Sequence, residues 1–356
     1  MRYSSAIARG AVIAAVFVYP LGTTGHAGQA PAGQNGQSPA RYEVPRTPWG
    51  EPDIQGIWTG DALAGVPLEK PSTAGSTTAL SKEEAAKRRA GATGGLNESR
   101  AELGSYGWEW RDIAPQFAKT TASTQLAMVI DPPDGKIPPL TPEGKQRFDA
   151  RSKGSRQNNS PHSWTDQGTW DRCITRGLPN IMMPLGYNNN LQIVQGPGYV
   201  VITHEMIHEP RSIPTDNRPH LGPNVRQWLG DPRGRWEGNT LVVDITNFNG
   251  KQLYTPAVAG SAGNVPASSA WDATYHLTER FTRIDAHTID YRITINDPTI
   301  WTKPFTIGFP LTKDDTQYEL VEYACHEANY GLQNILSAAR AEEREAAAGK
   351  KSAPSR

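Results

Sequence analysis

His204-Glu205-Met206-Ile207-His208 is the first place in this chain where residue types and spacing suggest chemistry. The pattern matches HExxH, in which two imidazoles hold zinc and the glutamate between them serves as general base. That geometry needs a helix, because only there do residues four apart sit one turn apart on one face. The surroundings read YVVITHEMIHEP: β-branched residues precede the motif, Pro210 follows it, and no N-cap residue opens a helix. On a strand over 199–208 the two imidazoles share a face but lie about 13 Å apart, and Glu205 points away. The expectation is therefore a strand with His204, Met206 and His208 on one face and Glu205, Ile207 and Arg211 on the other. Such a strand borders a wet cavity or solvent, and the zinc-hydrolase reading is the weaker one.

A second constellation is Glu322-Tyr323-Ala324-Cys325-His326-Glu327. On a strand over 317–327, Glu322 and His326 share one face, while Tyr323, Cys325 and Glu327 share the other. A histidine beside a carboxylate is the usual general-base arrangement, because its proton affinity is tunable across neutrality. His276 and Arg280 alternate on one face of a further strand, with Glu279 opposite, and Asp244 and Thr246 do the same in theirs. His208, His326 and His276 are thus the candidate acids or bases, with Glu205, Glu322 and Glu327 as their orienters. Arg211 and Arg233 would meet developing negative charge. Arg233, with Arg235, Trp236 and Glu237 around Gly234, suits a carboxylate clamp, or else a turn built from Arg–Glu pairs under a Trp lid. Asn190 and Gln192 offer amides to a sugar-like group, although the run of three asparagines also reads as a turn. For each constellation the plain alternative is a polar outer face.

The elements that must position these groups are strands. The stretch 198–248 organises the chain: an apolar run enters it, an alternating run (240–248) leaves it, and a polar connection rich in Arg and Trp lies between. Further strands are expected over 191–195, 199–208, 301–310 and 317–327, with a hairpin pairing 275–283 and 288–296 across Ile284-Asp285-Ala286-His287. In its second arm Ile289, Tyr291, Ile293 and Ile295 face one way. Ser81-x-x-Glu84 is a capping box before a short helix, and Thr141-Pro142 opens a second. The stretch 59–165 reads as an irregular, partly helical insertion or lid, and 332–348 as a C-terminal helix running into a charged tail over 341–356. Gly56-x-Trp58 opens a first strand as in lipocalins, where a Trp closes the barrel end. The fold class expected is all-β, an antiparallel lipocalin-like barrel or sandwich.

Composition agrees. With 34 Gly and 29 Pro among 356 residues, turns are many and helix is scarce. Lys plus Arg equals Asp plus Glu, 36 each, so no global field favours nucleic acid. Residues 1–27 read as a secretory signal, with Arg2 and Arg9, an apolar run from Ala11 to Leu21, and Gly25-His26-Ala27 at the cleavage site. A Gly/Pro/Gln/Ser linker over 28–44 follows, then one β-rich domain over 45–340. No apolar run is long enough to span a bilayer. Export to the periplasm or beyond makes Cys173–Cys325 the expected disulfide, which pins the segment around Arg172 to the C-terminal strand. No GxGxxG, P-loop or GxSxG motif occurs, which weighs against nucleotide binding and α/β-hydrolase chemistry.

The runs PWGxPDxQGxW, EMIHxxRxIPxDxRPH, GDxRGRWEGxTLVVDxTNF and EYACHExNYG resemble a widespread set of uncharacterised exported bacterial proteins, over roughly Pro48 to Arg340. The resemblance implies export and fold, and brings no activity. The chain departs from it at His204, Asn217 and Asn239, where relatives are expected to carry another residue, Gly and Asp respectively. The function expected is an exported barrel-type enzyme doing metal-independent acid–base chemistry, as a lyase, isomerase or hydrolase on a small cyclic or sugar-like molecule. No cofactor is expected. The alternative is a lipocalin-like periplasmic carrier of an apolar or aromatic ligand.

Overall fold

In a computed structural model, residues 42–98, 120–155, 161, 163–184, 188–251, 274–313, 320, 322–327 and 329–348 are described. The stretch expected as a signal (1–27), most of the expected linker and the last residues of the tail lie outside that set. Alternation of apolar and polar residues makes ten strands: β1 (Gly56–Thr59), β2 (Val129–Asp131), β3 (Asn190–Gly196), β4 (Tyr199–His204), β5 (Pro210–Pro214), β6 (Asp231–Glu237), β7 (Thr240–Thr246), β8 (His276–Arg283), β9 (Thr288–Asn296) and β10 (Phe305–Lys313). They form one antiparallel sheet in the order β5-β4-β3-β1-β10-β9-β8-β7-β6, with β2 added to β10. The sheet coils into a nearly closed barrel. At the seam, Gly234 on β6 lets β5 come close: a Cβ there would lie 2.9 Å from the methyls of Ile213 and Thr215.

The inward positions are read directly from the period of two. Ile289, Tyr291, Ile293 and Ile295 of β9 are fully buried, as are Leu277, Glu279 and Phe281 of β8. The β8–β9 hairpin pairs His276 with Asn296 and Arg283 with Ile289, across the turn the sequence marks. Rings fill the middle of the barrel: Tyr291 lies 4.9 Å from Phe281 and 5.1 Å from Phe309, centroid to centroid. At one end Trp58 is buried, donates to the Ile54 carbonyl and lies under the Arg283 guanidinium. The opposite end, where β3 begins and β4 stops, is covered by the segment 169–183, whose Leu178, Ile181 and Met182 join the core. The Cys173–Cys325 disulfide, with its Cα atoms 5.6 Å apart, ties that segment to the C-terminal part of the chain.

The expected helices form: α1 (Lys82–Glu98), with reciprocal Ser81–Glu84 capping bonds, α2 (Pro142–Ser155), capped by Thr141, and α3 (Tyr330–Ala347). Several boundaries differ from expectation. The strand expected over 199–208 stops at His204, and a tight turn follows in which Ile207 and His208 both take left-handed backbone. His204, Met206 and His208 therefore do not line one strand face. The strand expected over 317–327 is not formed by its described residues; Cys325, His326 and Glu327 make a turn held by the disulfide. The strand placed at 301–310 begins at Phe305, because Trp301 is used in a bridge to Leu140. Within 59–165, β2 belongs to the sheet itself.

The polar connection between the two apolar runs contains a strand of its own, β6, paired with β7 around Gly238-Asn239. A two-residue Gly-Asn loop is a hairpin signal that was legible in the sequence.

Candidate functional site

Two polar clusters hold the groups capable of acid–base work, one inside the covered barrel end and one outside it. Inside, His204 ends β4, Arg211 lies in β5, and Glu209 immediately precedes β5. Arg211 is 5 % exposed and reaches across the interior to Glu279 on β8, which is fully buried; the pair is bidentate, with the Nη2–Oε1 distance at 2.8 Å. Tyr291 donates to the same Glu279 at 2.7 Å. A buried, doubly hydrogen-bonded pair of this kind is costly to break from either side. Arg211 Nη2 also lies 3.7 Å from the Met182 sulfur, but its Nε has no partner. The same holds for His204 Nε2 and for Asn180 Oδ1, on residues 2 % and 6 % exposed, and Asn180 shares a short helical turn with Met182.

Glu209 completes this cluster. Its carboxylate accepts from Thr175 Oγ1 at 2.7 Å, two residues from the disulfide at Cys173. Burial pushes the Glu209 carboxyl up to about 7, against the bonds from Thr175 and Arg176 and the nearby Arg211 charge. Burial, with the Arg211 and Arg176 charges adding to it, holds the His204 imidazole well below its ordinary value, so the ring is neutral. Beside them Glu205 is fully buried and accepts from Asn188 at 2.9 Å and Asn190 at 2.6 Å, while Asn189 donates to Asp61 at 2.8 Å. Burial raises Asp61 above its ordinary range. The three asparagines thus serve two buried carboxyls.

Outside, Asp244 of β7 stands between two imidazoles. His276 Nε2 is 2.5 Å from its Oδ2 and His220 Nε2 is 2.7 Å from its Oδ1. His220 Nδ1 faces Asp231 at 3.1 Å, and Arg233 pairs with that aspartate too. These side chains are about one-third exposed, apart from the buried Asp231 and the mostly buried Arg233. The hydrogen bond and charge of Asp244 raise His276 above its ordinary value against its partial burial. Burial works the other way on Asp244, but bonds from His276 and His220 hold its carboxyl below the ordinary range.

The residues singled out in the sequence are divided among several places. Glu205, Asn190 and Arg211 come to the covered barrel end. His208 lies at its rim, exposed, with Nδ1 accepting from the Tyr323 amide at 3.2 Å. His276 and Arg233 belong to the outer cluster. Trp236 faces inward and packs on the core, so it shares no face with Arg233 and they form no clamp. Gln192 is exposed on β3, on the face opposite to its buried neighbour Leu191. Glu322, His326 and Glu327 are exposed around the disulfide turn rather than aligned on a strand.

Glu209, Thr175 and Asn180 were not singled out. The only hint for Glu209 is its place two residues before Arg211, a spacing that puts both side chains on one face. HEMIH supplies no zinc geometry, because its histidines are split between a strand end and a left-handed turn. Among the described residues no group of three His, Cys, Asp or Glu is placed to hold a metal ion. No helix of the described residues is long and apolar enough to cross a membrane. No family model, curated protein or solved structure matches the chain.

Proposed function

We propose that the protein is an exported enzyme that performs acid–base chemistry on a small, neutral, hydroxyl-bearing cyclic molecule, as a lyase, isomerase or hydrolase. The observation that carries this reading is Glu209: a partly accessible carboxyl poised at about 7 on the same inward face as Arg211 and the neutral His204. A group whose proton affinity matches neutral pH is the best placed to take and return a proton. Glu209 is the general acid or base in this reading. Arg211 Nε–H donates to an oxygen that gains negative charge, and His204 Nε2 and Asn180 Oδ1 bond hydroxyls. The charge of Arg211 is already matched by Glu279, so the site favours a neutral molecule over an anion.

Export is supported by the disulfide, which persists in oxidising compartments and leaves neither of the two cysteines free. The carrier reading asks for an open lumen, whereas Phe281, Tyr291 and Phe309 stack through the barrel centre.

The test is solvent exchange. Purified protein is incubated in deuterated water with a panel of neutral sugars, inositols and lactones, and deuterium incorporation and product formation are followed by proton NMR. The expected outcome is exchange or conversion of one member, lost in Glu209→Gln. Conversion that survives Glu209→Gln, or a Glu209 carboxyl found by carbon NMR to titrate as an ordinary glutamate, defeats the assignment. Tight binding of an apolar probe without any turnover returns the molecule to the carrier class.

A further inference from the structure

The connection 215–230 joins β5 to β6, the two strands that meet at the seam, and lies along the outside of β6 and β7. It is fastened at His220. Nδ1 of that ring faces Asp231 and Nε2 faces Asp244, with Thr246 Oγ1 a further 3.2 Å contact at Nδ1. Next to it the Leu221 amide donates to Asp231 at 2.7 Å, and Asn247 Nδ2 donates to the Leu221 carbonyl at 2.9 Å. Carboxylate oxygens only accept. A ring carrying hydrogens on both nitrogens donates to both aspartates, while a neutral ring donates to one and turns a lone pair toward the other.

The charged and titratable groups that face His220 come from three strands: Asp231 and Arg233 of β6, Asp244 of β7, and His276 of β8, which shares Asp244. Arg233 also donates to the Pro219 carbonyl, so it too grips the connection. On the connection itself, Asp216 and Arg218 pair with each other. With both rings protonated, two carboxylates face three cations. With both neutral, the same two carboxylates face Arg233 alone, and their mutual repulsion is no longer offset.

We propose that His220, Asp231, Asp244 and His276 form a proton-operated strap that holds the connection 215–230 against the barrel on the acid side of neutrality and releases it on the alkaline side. The strap is independent of the chemistry proposed for the barrel interior.

The experiment is amide hydrogen exchange on the intact protein at about pH 5.5 and about pH 8.5, with rates corrected for intrinsic exchange so that only opening is compared. Protection of Leu221 and Gln227 is expected to fall about tenfold or more at the higher pH, while Ile293 in the barrel wall keeps its protection. His220→Gln is expected to show weak protection of Leu221 at both values. Equal protection of Leu221 in the natural protein at the two values overturns the proposal, as does a pH dependence that persists unchanged in His220→Gln. Should that variant fold poorly, NMR of the natural protein decides: the Leu221 amide shift and the His220 ring must titrate on one curve, and separate midpoints sink the idea.

Discussion

The two polar clusters contain the same kinds of side chain, and burial at one and hydrogen bonding at the other drive their proton affinities in opposite directions. Inside, His204 loses its proton affinity and Glu209 gains it, because taking either charge out of water is costly and the neutral forms prevail. Outside, His276 gains proton affinity and Asp244 loses it, because water still solvates both and their hydrogen bond favours the charged forms. A histidine and a carboxyl thus make a set shifted toward its neutral forms at one site and an ion-pair clasp at the other. What differs is the depth at which the fold places them.

The sharpest way to break this contrast is to unpair the interior. Glu279→Gln leaves the Arg211 guanidinium buried without its countercharge, and the expected loss is about 3–5 kcal/mol in denaturant unfolding. A loss below about 1 kcal/mol would show that water reaches the pair. Next in size is the disulfide. Cys173→Ser with Cys325→Ser is expected to cost about 2–5 kcal/mol, since the bridge restrains a long loop. It should also move the Glu209 titration further above the ordinary value, because the Thr175 hydrogen bond that favours the carboxylate is no longer held in place, while the His276 titration is unchanged. Parallel changes in both would mean that the clusters are not separate.

Glu209 comes third. Its folded value is raised, so stability is full below the unfolded value of 4.5 and declines as pH rises toward about 7, where the ionised carboxylate must be accommodated. Glu209→Gln is therefore expected to remove that slope and to stabilise the protein by about 1–3 kcal/mol at alkaline pH, as groups kept for function often do on removal. A variant no more stable than the parent at pH 8, measured by thermal unfolding, defeats the buried-carboxyl argument.

The smallest effect is expected outside. His276→Ala should cost about 1 kcal/mol or less, discounted for a pair that water and salt screen. The sign is opposite to that of Glu209 at the acid end. The Asp244 contribution is present above its unfolded 3.8 and is lost as pH falls below it. The His276 contribution is present below 6.5 and is lost as pH rises through its raised value. High salt should shrink the outer effect and leave the Glu279→Gln loss nearly unchanged, as melts at two ionic strengths would reveal.

Much of the barrel could be read from the chain alone. Ile289, Tyr291, Ile293 and Ile295 alternate cleanly because strands have a period of two and one face must be dry. The hairpin over 276–296 follows from that alternation and its turn, the helix caps from Ser81-x-x-Glu84 and Thr141-Pro142, and the disulfide from there being only two cysteines. Residues 204–208 and 322–327 were harder, because a short polar run has no periodicity to separate a strand from a tight turn. Ile207 and His208 adopt left-handed backbone that no propensity favours, and only their neighbours hold them there.

By itself, then, the sequence determined the inward positions of the cleanly alternating strands, the helix starts and which cysteines pair, since these follow from local periodicity and composition. It could not say which polar side chains meet. Arg211 and Glu279 are far apart in the chain and meet only because the sheet closes on itself, while His220 and His276 reach the same Asp244 because β6, β7 and β8 lie side by side. The tertiary structure decided that the Glu209 carboxyl is pushed up to about 7, because proton affinity depends on burial and neighbouring charge, and both are properties of the closed barrel.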